Sequence, residues 1–141
     1  MLITTDASVF EIKPKEVIAP TSRDDLVETI RKLLTEKQSF TMRAGGTSIG
    51  GQAIGKGVLV DISKHLNNVI DFSEEKKEVR VEPGVIQDDL NDFLRPCNLK
   101  FAPDTSTSNR AMIAGMIGNN SCGSYSVFYG TTRDHVKSVE V

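Results

Sequence analysis

The run Arg43-Ala44-Gly45-Gly46-Thr47-Ser48-Ile49-Gly50-Gly51-Gln52 constrains this chain more than any other feature, because it sets four glycines and two hydroxyls directly after a strand-like stretch. Glycine loses more conformational freedom on folding than any other residue, so a run this rich in it ends the strand and opens a loop. Its unhindered backbone N–H groups can curl around an anion, with the hydroxyls of Thr47 and Ser48 as further donors. A plain tight turn is the other reading of any glycine pair. The strand before the loop and Arg43 at its end favour the anion cradle.

Two familiar phosphate loops fail against these residues. Gly50 to Lys56 has the spacing of a nucleoside-triphosphate loop, but Gly57 stands where a magnesium-binding Ser or Thr is needed, and a strand-like run follows instead of a helix. The glycine fingerprint of a dinucleotide-binding βαβ unit is absent throughout. Phosphate would have to be held by loop backbone, without a helix dipole.

Around the loop the chain alternates elements. Val17 to Pro20 is a short apolar run, and Ser22 with Asp25 fits the capping pattern that opens a helix. Leu26, Val27, Ile30, Leu33 and Leu34 recur at helical spacing, predicting one face laid on a sheet. Ser39 to Arg43 and Val58 to Ile62 read as strands, giving strand, helix, strand, glycine loop, strand. Glu78 to Glu82 alternates as a further strand, broken by Pro83-Gly84. Leu90, Phe93 and Leu94 predict a short helix that ends near Pro96. From Ala102 to Arg110 the composition turns to a Pro-, Ser- and Thr-rich loop, and Ala111 to Gly123 is small and glycine-studded, which lets backbone approach a ligand. Val136 to Val141 reads as a final strand without turn or cap, as in a chain cut from a longer one.

Composition removes several function classes. With 141 residues, 38% hydrophobic and 26% charged, the chain is a soluble domain with room for one core or two small lobes. A net charge of -2 with scattered basic residues leaves no footprint for nucleic acid. No apolar run has membrane length and the start lacks a signal-peptide pattern, so a cytoplasmic protein without a membrane segment is expected. Cys97 and Cys122 are too far apart for a metal site or disulfide scaffold, and His65 and His135 have no partner at ligand spacing. No catalytic residue and no metal ligand stands out.

Taken in order, the motifs resemble those of FAD-linked oxidases and dehydrogenases of the vanillyl-alcohol oxidase type, the group that includes D-lactate, glycolate and D-2-hydroxyglutarate dehydrogenases. Val17-Ile18-Ala19-Pro20 and the capped helix look like the family's opening, and Met42 to Gly51 resembles its pyrophosphate loop. Val81-Glu82-Pro83-Gly84-Val85 resembles its turn, and Phe101-Ala102-Pro103-Asp104 its second cofactor loop. Ile113 to Gly123, followed by Tyr129-Gly130, is similar to the segment that runs along the flavin, closest to long members fused to an iron–sulfur reductase module. Ala114 and Met112 depart from the usual glycine and small polar residue.

The resemblance implies an α+β, two-lobed FAD-binding domain: a small βαβ-containing lobe over residues 1–75 and a second, truncated lobe with a mixed or antiparallel sheet over 76–141. It implies FAD contacts at Arg43, Ala44, Gly45, Gly46, Thr47, Ser48, Ile49, Gly50 and Gln52, and again at Pro103, Asp104, Thr105, Ser106, Gly115, Gly118, Asn120, Ser121 and Gly123. Read from the residues alone, Asn120 and Ser121 also fit ordinary polar caps at a helix end. Thr47 stands where some relatives attach FAD through histidine, so a non-covalent cofactor is expected. The implied activity is hydride transfer from a 2-hydroxy acid to flavin, with the substrate bound by sequence beyond residue 141 and the present chain inactive alone. A non-catalytic module that keeps the fold, and a same-fold enzyme of cell-wall precursor reduction, are the alternatives.

Overall fold

A computed structural model describes residues 3–141. The first unit consists of β1 (Glu16–Ile18), α1 (Arg23–Thr35), β2 (Phe40–Arg43) and β3 (Val58–Asp61). Its strands are all parallel in the order β1-β3-β2, and Val58 is in register with both Glu16 and Phe40. All four residues of β3 are buried. A continuous apolar run such as Val58-Leu59-Val60 suits a central parallel strand enclosed on both faces. The expected strands at 39–43 and 58–62 form, each one residue shorter.

Helix α1 starts where its cap dictates. Ser22 Oγ accepts from the Asp25 amide at 3.2 Å, and the Asp25 carboxylate accepts from the amide (2.7 Å) and hydroxyl (3.0 Å) of Thr21, one residue earlier than in a reciprocal capping box. Those bonds from Thr21, the backbone one foremost, hold the Asp25 carboxyl below its ordinary pKa. Leu26, Ile30 and Leu33 pack with Ile18, Phe40, Val58 and Val60 into the first apolar cluster. Leu34, expected on this face, is instead 62% exposed. At about 100° per residue it sits well around the helix from Leu33, on the flank of the stripe.

The second unit begins with a strand that the sequence reading passed over. β4 (Val69–Ser73) pairs antiparallel with β5 (Glu78–Val81), so the sheet expected as mixed or antiparallel is antiparallel. Its turn, Glu74-Glu75-Lys76-Lys77, lacks the Gly, Pro or Asn that marks most turns, and Lys77 takes the positive φ (54°) itself. The division expected between residues 75 and 76 falls inside this turn, while Val69 and Phe72 of β4 pack on the second apolar cluster with Val79 and Val81 of β5. That cluster is built on Val85, Leu90, Leu94, Ala111, Ile113 and Met116. It joins the hairpin to α2 (Gln87–Leu94), which runs into a 3-10 turn at Arg95–Cys97, and to α3 (Ile113–Asn119). The ring of Phe93, only half covered, still meets Phe72 edge-on at 5.6 Å.

Beyond α3 come the short α4 (Ser126–Tyr129) and a 3-10 turn over Thr132–His135. The final strand expected over Val136–Val141 does not form: this segment has no ladder partner among the described residues. It is held by exposed ion pairs, Lys137 with Glu78 and Glu140 with Arg23. Such exposed pairs are screened by solvent and add little to stability. No helix is long and apolar enough to cross a membrane among the described residues.

Candidate cofactor site

The glycine loop leaves the carboxyl end of β2, the edge at which open parallel sheets bind ligands. Arg43, the last residue of the strand, is only 4% exposed; its guanidinium donates to the carbonyls of Ala53 (3.0 Å) and Thr5 (2.8 Å). Expected to touch the cofactor, this side chain spans the base of the loop and joins its two ends. Gly46 adopts φ +63°, a conformation that side chains disfavour. At Gly45 a Cβ would lie 2.3 Å from the Arg110 carbonyl oxygen, so only glycine permits that approach.

The loop's donors are already grouped around one oxygen. Ser48 Oγ and the Gly50 amide (3.1 Å) both donate to the Gln52 side-chain carbonyl. An uncharged oxygen is thus captured by two donors in the manner of a phosphate oxygen. Ala44 and Thr47 are half-buried beside them, and Ile49 projects into solvent.

The second set of expected residues is carried by residues 103–111 and by α3. Pro103 is buried, Asp104 and Thr105 are partly covered, and Ser106 is exposed. What holds this loop is Gln87, a residue that sequence reasoning missed. It is 1% exposed, its amide group donates to the Pro103 carbonyl, and its side-chain oxygen accepts from Thr105 Oγ1 at 2.6 Å. Its backbone N–H donates to the Ala111 carbonyl at 2.9 Å. Nothing but a polar residue in the first turn of a predicted helix marked it beforehand.

In α3 the amides of Ile113 and Ala114 donate to the carbonyls of Val85 (2.9 Å) and Pro83 (3.0 Å), which docks the helix on the Pro83-Gly84 turn. Asn120 ends the helix in the left-handed conformation (φ 46°), and its side-chain oxygen accepts from the Arg133 amide at 2.9 Å. The Ser121 carbonyl accepts from the Thr132 amide (3.0 Å) and hydroxyl (2.8 Å). Asn120 thus ends the helix, while Ser121 takes part through its backbone. Gly123 lies back to back with Asp104: a Cβ there would fall 1.6 Å from the Asp104 oxygen.

The two halves meet. Besides Gly45 against Arg110, a Cβ at Gly115 would stand 3.4 Å from that of Ala44. Gly115 and Gly118 lie one turn apart on α3, and a Cβ at Gly118 would meet nothing within 4 Å. Each glycine costs a helix about 1 kcal/mol relative to alanine. Since the chain's own packing does not require Gly118, the open strip it leaves on α3 fits a flat ligand approaching the backbone. The donor-lined loop, the small-residue strip and the contact between them fit FAD, a pyrophosphate joined to a planar ring system.

A two-lobed α+β scaffold with a glycine loop at the sheet edge and a small-residue helix beside it defines a flavin-nucleotide-binding domain. Residues 14–141 match the FAD binding domain family, and the chain belongs to that family. It is 43% identical over 142 residues to a D-2-hydroxyglutarate dehydrogenase of Escherichia coli (strain K12), covering 99% of this chain and 14% of that protein. It is 32% identical to the glycolate oxidase subunit GlcD of Bacillus subtilis (strain 168), over 94% of this chain and 28% of that one. In fold it matches alkyldihydroxyacetonephosphate synthase with a TM-score of 0.77 at 17% identity, covering 86% of this chain and 23% of the other. The chain thus spans 14–28% of the length of these proteins.

Proposed function

We propose that this chain holds FAD without a covalent bond, as the cofactor-binding part of an oxidoreductase that acts on a small 2-hydroxy acid. The observation that carries the reading is the contact of Gly45 and Ala44 with Arg110 and Gly115, which unites a donor-rich loop and a small-residue helix from distant parts of the sequence. The backbone amides of residues 45–50, with Ser48, take the pyrophosphate. Arg43 keeps the ends of the loop together, and Gly115 and Gly118 let the ring system lie against α3. Pro103 to Ser106, held by Gln87, and Asn120, Ser121 and Gly123 line the other side. Thr47, a hydroxyl where some members of the family carry the linking histidine, supports the non-covalent mode.

When bound, FAD supplies the hydride acceptor; the protein contributes binding, orientation and electrostatics. Relatives named D-2-hydroxyglutarate dehydrogenase and glycolate oxidase subunit support a 2-hydroxy acid as substrate. Groups that bind it belong to sequence outside this chain, as does an iron–sulfur partner module of the kind found in long members of the family. A cytoplasmic setting completes the proposal. The test is titration of the purified chain with FAD, followed by flavin fluorescence and thermal unfolding. Saturable binding is expected, with a stabilisation of about 2.7 kcal/mol at a hundredfold excess over Kd. An ordered chain that neither binds nor is stabilised by FAD would instead mark a module that has kept the fold without the cofactor.

A further inference from the structure

We propose that the N-terminal arm, residues 4–12, is a working part of this site: through Thr5 and Asp6 it straps the glycine loop from behind and so sets the loop's affinity for FAD. The inference rests on the reading that the loop takes the FAD pyrophosphate. The arm is a small closed unit. Thr5 bridges antiparallel to Glu11, the Ile12 amide donates to the Thr4 carbonyl at 2.9 Å, and Thr4 Oγ1 donates to the Glu11 carboxylate at 3.1 Å.

From this unit two groups reach the base of the loop. The Thr5 carbonyl accepts from Arg43 at 2.8 Å, and the Asp6 carboxylate accepts from the Ala53 amide at 3.4 Å and the Ser8 amide at 2.9 Å. Arg43 and Ala53, the residues at the two ends of the loop, are therefore each tied to the arm as well as to each other. A third tie lies further along, where the ring of Phe10 comes 3.1 Å from the position of a Cβ on Gly51. Residues 44–50, which carry the donors, stay clear of these ties.

Asp6 is suited to the role. Burial by itself pushes its carboxyl pKa up, but hydrogen bonds from Ser8 and Ala53, helped by the Arg43 guanidinium, together hold it below the ordinary carboxylate value. It is thus an anion at neutral pH, opposed by a buried cation. No arm residue is among those of the two apolar clusters. The family match begins at residue 14, beyond the arm.

The experiment compares the whole chain with its Asp6→Ala and milder Asp6→Asn variants by amide hydrogen exchange and by FAD titration. Faster exchange is expected at residues 44–53, with β1, β3 and α2 unchanged. FAD affinity should fall about tenfold in Asp6→Ala, since charge-assisted bonds at the loop base are lost, and less in Asp6→Asn. Unchanged FAD affinity would overturn the proposal whatever the loop exchange, and so would protection lost evenly along the chain, which marks a general stability role. If the wild-type chain fails to bind FAD, the cofactor reading falls, while faster loop exchange in the variants still upholds the strap.

Discussion

The two units of this chain solve the same problem, holding a loop in place beside a small-residue surface, by different means. In the first unit a wholly buried parallel strand, β3, lies between two partners, and the glycine loop is a long crossover from β2 back to it. In the second no strand is wholly buried; a two-stranded hairpin is completed by α2 and α3, and the loop at residues 103–111 is held by one buried side chain, Gln87. A hairpin of two strands is marginal alone, so this unit depends on its helices. Both loops are pinned by a buried polar side chain, Arg43 in the first unit and Gln87 in the second, but the first unit adds the rigidity of a three-stranded ladder where the second relies on helix packing.

The sharpest challenge to this contrast is Gly123→Val. The new side chain would collide with the Asp104 backbone, and a loss above about 4 kcal/mol is expected in denaturant unfolding. Hydrogen exchange should show α3 and residues 103–111 opening while β1 to β3 stay protected; equal loss in both units would mean that they fold as one body.

Paired leucine truncations come next. Leu90→Ala and Leu33→Ala should each cost about 2–5 kcal/mol. The cost should be larger for Leu90, whose cluster has six buried members against three in that of Leu33. Equal costs would break the claim that packing matters more in the second unit.

Gln87→Ala should cost about 1–3 kcal/mol, the range for leaving buried partners unpaired, and should weaken FAD binding more than it lowers thermal stability. An unaltered FAD titration would show that the 103–111 loop keeps its shape without Gln87. The smallest effect is expected from Ser22→Ala. Loss of the α1 cap should cost about 1 kcal/mol, with no change in FAD affinity. A changed affinity there would couple α1 to the site.

Much of the first unit was legible beforehand. The cap at Ser22, the apolar stripe of α1 and the run Val58 to Val60 are local patterns, fixed by helix geometry and strand burial. The second unit was less so. β4 went unnoticed because its turn is made of Glu and Lys, and Leu34 was misplaced because it stands at the border of its helical face. The family motifs pointed to two segments that the fold brings together as a candidate site, while the contacts within it came from the structure: the Arg43 side chain binds carbonyls, and Asn120 ends a helix.

By itself the sequence determined where α1 begins, where β2 and β3 run and that a donor-rich loop follows β2, because those features depend on residues a few positions apart. Only the tertiary structure decided that Gly45 meets Arg110, that Gly123 meets Asp104, that Gln87 holds Pro103 and that Thr5 and Asp6 hold the loop base. A backbone carbonyl accepts a donor from anywhere in the chain, so nothing local in the sequence names its partner. That choice is made when the two apolar clusters close and bring distant segments within reach.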